Sequence, residues 1–165
     1  MKKTLWAGIA LAVFGISTAS AGVITDRQNI MKSFGQANTA LNGMTNPNPY
    51  DTALAQVQLR VLNDGAAKLG AMFPAGSDKS SDPAEKTLAL PTVWSDTPGF
   101  QAALTKFVTD VKAAQVAYDS RSFTAAYAAV GADCGGCHRT YRAPLPRPPG
   151  APAAGGAGGP PPAAQ

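Results

Sequence analysis

The chain has 165 residues, 45% of them hydrophobic, and its 14 Lys and Arg against 10 Asp and Glu give a formal net charge of +4. Lys2 and Lys3 belong to a predicted leader, and without them the charge is +2, too weak to indicate nucleic acid binding. Without that leader and a proline-rich tail, about 120 residues remain, which suffices for one hydrophobic core but not for two.

The first 21 residues have the features of a secretory signal peptide. Two lysines precede an uncharged apolar stretch over residues 5–16, and Ala19-Ser20-Ala21 matches an A-x-A cleavage site. The apolar stretch is shorter than the roughly 20 residues that span a bilayer, so an uncleaved anchor is the less favoured alternative. We predict cleavage after Ala21 and an exported mature chain without stable membrane insertion.

A first amphipathic helix is predicted from Thr25 to about Leu41, with Thr25 or Asp26 as its cap. A second should begin at Asn48-Pro49, because Asn48 can cap and proline suits the first helical position, and should end by Pro74. The apolar face predicted for this second helix comprises Leu54, Val57, Val61, Leu62, Leu69 and Phe73.

Residues 75–91 are rich in Ser, Asp, Gly and Pro and predict a loop. Ser95 or Thr97 can cap a third helix, and Ser122 can start a fourth that ends near Pro144. The third helix has the apolar face Phe100, Leu104, Phe107, Val108, Val111 and Ala114. Four such helices without a strand pattern predict an all-α fold, an antiparallel four-helix bundle over residues 22–143.

The last segment, residues 144–165, consists mostly of Pro, Ala and Gly. Such a segment cannot bury enough apolar surface to fold, so we predict a disordered tail. Its stretch 145–149 could dock in a groove as a polyproline II helix, but a spacer is the favoured interpretation.

Both cysteines and the only histidine of the chain occur in Cys134-Gly135-Gly136-Cys137-His138. C-x-x-C-H is the attachment signature of c-type haem, in which two thiols add to the porphyrin vinyl groups and the imidazole ligates the iron. Positions three and four apart share one face of a helix, so these three side chains can approach one flat macrocycle. We therefore predict one covalent haem c per chain, with His138 as an iron ligand.

Three other interpretations of this motif are weaker. A zinc site needs about four ligands, and the chain supplies no further Cys or His. A thioredoxin-like pair belongs at the start of a helix in a βαβ unit, whereas this motif falls late in a helical segment. A structural disulfide would not explain the adjacent histidine. A metal-delivery or structural protein without haem would not explain any part of the motif.

The chain resembles the class II c-type cytochromes, the group that contains cytochromes c′ and their low-spin relatives. The resemblance covers residues 25–142 and rests on the haem motif near the end of the fold, with Tyr141-Arg142 after it. It also rests on the string 27–32 (RQNIMK) in the first helix and on residues 91–94 before the third. The proline-rich tail departs from the family, whose members usually end soon after the motif.

The resemblance implies a role for several residues. Cys134 and Cys137 match the thioether attachment points and His138 the proximal ligand. Arg27 matches a position whose guanidinium lies near a haem propionate, although a solvated helix face is the plain alternative. Arg142 matches the basic residue one turn past the histidine, where it also suits the helix C-terminus.

Met31 decides between two functions that the family offers. In low-spin members a methionine at this position is the sixth iron ligand, which favours a periplasmic electron carrier that exchanges electrons with redox partner proteins. In high-spin members the iron is five-coordinate and binds nitric oxide or carbon monoxide, and the methionine would only pack against the porphyrin. We favour ligation by Met31, and Met44 and Met72 are weaker candidates. No arrangement of catalytic residues predicts an enzyme, and the family implies that the chain could form a homodimer.

Overall fold

The computed structural model describes residues 20–79 and 86–145, which form four long helices and one short helix. They are α1 (Ser20–Asn42), α2 (Thr52–Leu69), α3 (Thr92–Ser95), α4 (Thr97–Gln115) and α5 (Ser120–Tyr141). The long helices form a four-helix bundle, and the only pairing of extended backbone in the described residues is an isolated bridge between Ala89 and Arg142. The predicted all-α bundle is confirmed. The leader up to residue 19 and the tail from residue 146 lie outside the described residues.

Helix α1 begins at Ser20, five residues before the predicted start at Thr25. The reason is Ile24, which is 1% exposed and lies three positions before buried Arg27, so that the buried face continues one turn upstream. The predicted end is correct, since the helix stops at Asn42.

The cap of α2 is Asp51 and not Asn48 as predicted. The Asp51 carboxylate accepts a hydrogen bond from the Leu54 backbone N–H at 2.9 Å and so satisfies one of the free N–H groups of the first turn. The helix also ends at Leu69, five residues before Pro74.

Aspartates likewise cap the last two long helices, where serine or threonine had been predicted. Asp96, between the predicted candidates Ser95 and Thr97, accepts from the Gly99 N–H at 3.1 Å. Asp119 accepts from the Ser122 N–H at 2.7 Å, while the Ser122 hydroxyl completes a capping box instead of starting the helix. An ionised carboxylate also interacts favourably with the positive end of the helix dipole.

The predicted apolar face of α2 is partly wrong. Leu54 and Val57 are 42% and 48% exposed. The buried face consists of Ala55, Leu59, Leu62, Ala66 and Leu69. Its two alanines allow α1 and α4 to approach closely, and a search for large apolar side chains overlooks such positions. The predicted face of α4 is correct in its buried members Phe100, Phe107, Val111 and Ala114.

The core has two parts. The main cluster runs through the bundle and includes five completely buried side chains, Leu41, Leu59, Val111, Phe123 and Val130. A smaller cluster lies at the end of the bundle where α5 terminates, and comprises Val93, Phe100 and Tyr141 with Phe73, Ala89, Trp94, Ala103 and Cys137 against them. The smaller cluster contacts Cys137 of the predicted haem motif, whereas Cys134 packs against the main cluster.

Backbone hydrogen bonds join the segment before α3 to the end of α5. Leu90 N–H donates to Tyr141 O at 2.9 Å, and Ala143 N–H donates to Leu88 O at 2.7 Å. These two bonds close one side of the small cluster. Within the described residues, no helix combines the length and apolar character that crossing a bilayer requires.

Candidate functional site

A cavity of about 410 Å³ lies at this end of the bundle, and residues from every helix line it. Helix α1 contributes Ile24, Arg27 and Met31, and α5 contributes Cys137 and His138. Most of the remaining wall is apolar, namely Leu69, Phe73, Leu88, Ala89, Val93, Phe100, Leu104 and Tyr141. The structure thus brings four of the five predicted site residues to one cavity.

The fifth predicted residue, Cys134, lies beside the cavity and not in its lining. It is half-buried and packs against the main core, whereas Cys137 packs against the small cluster. The two thiols are not joined to each other. They stand one turn apart at the C-terminal end of α5, next to the cavity that His138 lines.

The protonation states of the motif suit attachment and ligation. Burial raises the pKa of both the Cys134 and Cys137 thiols, in contrast to the low-pKa thiolates of redox-active pairs at helix N-termini. Burial of the ring, and secondarily the nearby Arg142 cation, lowers the pKa of His138. This imidazole is therefore neutral at pH 7, which is the form that ligates iron.

Arg27 is buried in the cavity wall, with only 5% of its surface exposed, so the solvated-face alternative is wrong. Its Nη2 donates to Ser77 O at 2.8 Å, and its Nη1 donates to Ser77 Oγ at 3.2 Å and to Met72 O at 3.3 Å. The guanidinium carbon lies 4.6 Å from the centre of the Phe73 ring. Such a buried cation favours an anionic group beside it.

Sequence reasoning missed Ser77, which is completely buried and holds Arg27 from the loop after α2. A serine within a polar loop carries no pattern that distinguishes a buried position from an exposed one.

The two methionines that were weaker candidates for the sixth iron ligand lie away from the cavity. Met44 is buried in the main core, and Met72 does not line the cavity.

The residues present fit haem c and do not fit a protein-held metal ion. In the described part of the chain, no three His, Cys, Asp or Glu side chains are grouped so as to hold a metal. Two thiols, a neutral imidazole, a thioether and a largely apolar cavity are instead the donors and surroundings that a covalently bound porphyrin requires. Arg27, Lys32 and Arg142 line the same cavity, where their cations would suit the carboxylates of a porphyrin. The fold and site define a helical-bundle protein that carries c-type haem.

The comparisons with known proteins agree with this class. Residues 22–142 match the family Cytochrome C′. The chain is 32% identical over 139 residues to cytochrome c′ of Rhodopseudomonas palustris, a match that covers 83% of this chain and 92% of that one. It is 31% identical over 126 residues to cytochrome c-556 of Agrobacterium fabrum, with 74% and 82% covered. The solved structure of the R. palustris cytochrome c′ matches with a TM-score of 0.68 at 32% identity over 75% of this chain and 98% of that one.

The chain therefore belongs to the cytochrome c′ family of class II c-type cytochromes. Its cofactor is haem c, covalently attached as in this family. The family has been established over nearly all of the described residues, and the predicted resemblance is confirmed.

Proposed function

We propose that this protein is a periplasmic electron carrier in which His138 and Met31 would both ligate the haem iron. The observation that carries this proposal is that both residues line the same cavity from different helices, α5 and α1. The iron supplies the change between ferric and ferrous states when haem is bound, and no substrate is transformed. Ligation by His and Met favours the ferrous state and raises the reduction potential.

The chain's own residues hold this centre rigid. Cys134 and Cys137 would hold the porphyrin on α5, and His138, whose lowered pKa favours the neutral imidazole, would ligate the iron. The hydrogen bonds of Arg27 to Ser77 fix its cation in the cavity wall, where it stabilises a carboxylate such as a propionate. The cavity wall is largely apolar, which would limit the rearrangement that accompanies the gain or loss of an electron.

Export and cleavage after Ala21 are part of the proposal. Haem is attached to such chains outside the bacterial cytoplasm, and redox partner proteins in the periplasm would exchange electrons with it. The mature chain would begin at Gly22 and would retain buried Ile24 at the start of α1. Mass spectrometry of the protein purified from a periplasmic fraction tests the position of cleavage.

Leu54 and Val57 support association of two copies through the outer face of the first helices. They lie one turn apart on α2 and are 42% and 48% exposed, so that they form a small apolar patch on its outer face. We expect Leu54→Glu with Val57→Glu to convert a dimer into a monomer in sedimentation experiments. A wild-type protein that already sediments as a monomer contradicts this part of the proposal.

Replacing Met31 by Ala tests the ligation. The change removes the thioether from the cavity and should convert a low-spin absorption spectrum to high-spin, lower the reduction potential and allow carbon monoxide to bind the ferrous protein. Met72→Ala is the matched control, because it removes the same side chain outside the cavity and leaves the Met72 carbonyl that Arg27 contacts.

The opposite outcome has an equally definite meaning. If the wild type is already high-spin and binds carbon monoxide freely, Met31 only packs against the porphyrin. The protein is then a five-coordinate cytochrome that binds nitric oxide or carbon monoxide, and the electron-transfer proposal fails.

A further inference from the structure

Asp133 directly precedes the first haem-attachment cysteine and is buried in an unusual way. Its side chain is only 9% exposed, on the face of α5 that contacts α4. Its Oδ1 accepts a hydrogen bond from Lys106 Nζ at 2.6 Å. Its Oδ2 is buried and has no hydrogen-bond partner among the described residues. A buried carboxylate oxygen without a partner is costly in its ionised form and requires an explanation.

Asp133 shares Lys106 with a second carboxylate of α4. Lys106 Nζ also lies 2.6 Å from Asp110 Oδ2, so one cation serves two acids and the ionised cluster carries a net charge of −1. The side-chain exposure falls from 62% at Lys106 through 22% at Asp110 to 9% at Asp133. Lys106, Asp110 and Asp133 therefore form a cluster that extends from the solvent to a buried carboxylate next to the predicted haem attachment.

The environment of Asp133 favours a bound proton. Burial raises the pKa of Asp133; the Lys106 hydrogen bond opposes this shift and the neighbouring Asp110 carboxyl group reinforces it. The hydrogen bond from Lys106, and secondarily the Asp133 carboxyl group, lowers the pKa of Asp110. Helix α5 packs against α4 and the short α3, and α3 contains no titratable side chain. The charged groups that face Asp133 in the described part of the chain are thus Lys106 and Asp110.

The charge of Asp133 also reaches the haem-attachment positions. After burial, a negative Asp133 contributes to the raised pKa of both the Cys134 and Cys137 thiols. The interaction is reciprocal: a charge that changes at the haem site must change the proton affinity of Asp133.

We propose that Asp133 is a redox-linked proton-binding site: it binds a proton more tightly when the protein is reduced, so that protons are taken up from solvent on reduction and released on oxidation. The electron comes from a one-electron donor, and the proton passes from solvent to the Asp133 carboxylate, where one O–H bond forms. Reduction removes one positive charge from the iron, so the carboxylate binds the proton more tightly. The inference rests on the part of the proposed function in which the haem iron changes between its ferric and ferrous states, and not on ligation by Met31.

The test compares the reduction potentials of the haem-loaded wild type, Asp133→Asn and Asp64→Asn over a range of pH. We expect the proton affinity of Asp133 to rise about tenfold on reduction, within the range typical of coupled sites. The wild-type potential should then fall with increasing pH by about 59 mV in total, the equivalent of a tenfold factor for one electron. Asp133→Asn should lose this fall, because the amide can still accept from Lys106 but cannot bind the proton. Asp64→Asn, the same change at an exposed position of α2, should keep it.

Two further measurements do not depend on the potential. The reduced-minus-oxidised infrared difference spectrum should contain a carboxylic acid band that Asp133→Asn removes. Lys106→Gln alters only an exposed side chain and should move the pH-dependent range upwards, because the cation that stabilises the ionised carboxylate is lost.

Several results would overturn the proposal. A wild-type potential that does not vary with pH, or an equal variation and an unchanged infrared band in Asp133→Asn, would leave Asp133 only the structural role of tying α4 to α5. If Asp133→Asn does not fold, the Lys106→Gln variant decides: an unchanged pH range over which its reduction potential varies would refute the proposal. A high-spin wild type would refute ligation by Met31 but leave these measurements interpretable, since they require only a change of iron charge.

Discussion

Gly65 lies where α2 packs against α1. Whether its replacement by Ala raises or lowers the free energy of unfolding depends on the packing at this position. A Cβ atom at Gly65 would lie 2.9 Å from Phe34 Cζ, closer still to Phe34 Cε1, and 3.4 Å from Ile30 Cγ2. The Phe34 ring cannot move away freely, because it packs against Phe107 with ring centroids 5.7 Å apart. The added methyl group must therefore displace an aromatic ring in the interior.

Two opposing contributions set the magnitude. Ala in a helix interior is favoured over Gly by about 1 kcal/mol, while overpacking a well-filled core costs about 1–3 kcal/mol. Gly65→Ala should therefore lower the free energy of unfolding by about 0–2 kcal/mol. Gly35→Ala on α1 is the matched control, since a Cβ there meets nothing within 4 Å. The control should gain about 0.5–1 kcal/mol, the ordinary benefit of Ala over Gly.

Denaturant unfolding of the haem-loaded variants, followed by circular dichroism, measures this difference. We expect the two variants to differ by about 0.5–3 kcal/mol, with a lower midpoint for Gly65→Ala than for Gly35→Ala and similar denaturant slopes. Absorption spectra add a functional measurement, because a displaced Phe34 lies one turn from Met31 on α1. If Gly65→Ala stabilises the protein as much as Gly35→Ala does, the close packing of α1 on α2 is not restrictive and the reasoning is wrong.

Three more predictions follow from single contacts and from the tail. Tyr127→Phe removes the 2.7 Å hydrogen bond to Asn38 Oδ1 and should cost about 1 kcal/mol in denaturant unfolding; no loss would mean that the bond contributes nothing. The Ser122 N–H and hydroxyl hold the pKa of Asp119 below its ordinary value, so the stability from this cap is present above that ordinary value and disappears as the pH falls through the lower one. Asp119→Ala should therefore lower the melting temperature at neutral pH but not in strong acid, and an equal effect at both would contradict the cap. Truncation after Ala143 should leave the melting temperature and haem spectrum unchanged, and a clear loss of stability would show that the tail packs on the bundle.

The haem motif and the number of long helices could be predicted because both depend on local spacing. Residues three and four apart share a helix face whatever the rest of the fold does, so the spacing of Cys134, Cys137 and His138 is enough to predict covalent attachment of haem. The repeated apolar positions of the four helices likewise predict a bundle. The helix caps were harder to predict from the sequence. By residue type, Asn48, Ser95 and Ser122 are as suitable as the caps that the structure shows, Asp51, Asp96 and Asp119. Only the exact start of each helix distinguishes them.

Tertiary packing decided what local patterns leave open. The pattern shows which side chains are apolar but not which face meets another helix, so Leu54 and Val57 were assigned to the core while small Ala55 and Ala66 occupy it. The same holds for Arg27. Its charge predicts solvent, but a loop more than forty residues later supplies Ser77 and the Met72 carbonyl, and these contacts make burial of the cation favourable. The orphaned oxygen of Asp133 is likewise invisible before α4 and α5 are brought together. The sequence by itself determined the cofactor and the fold class, whereas the surroundings that tune the cofactor exist only where distant segments meet.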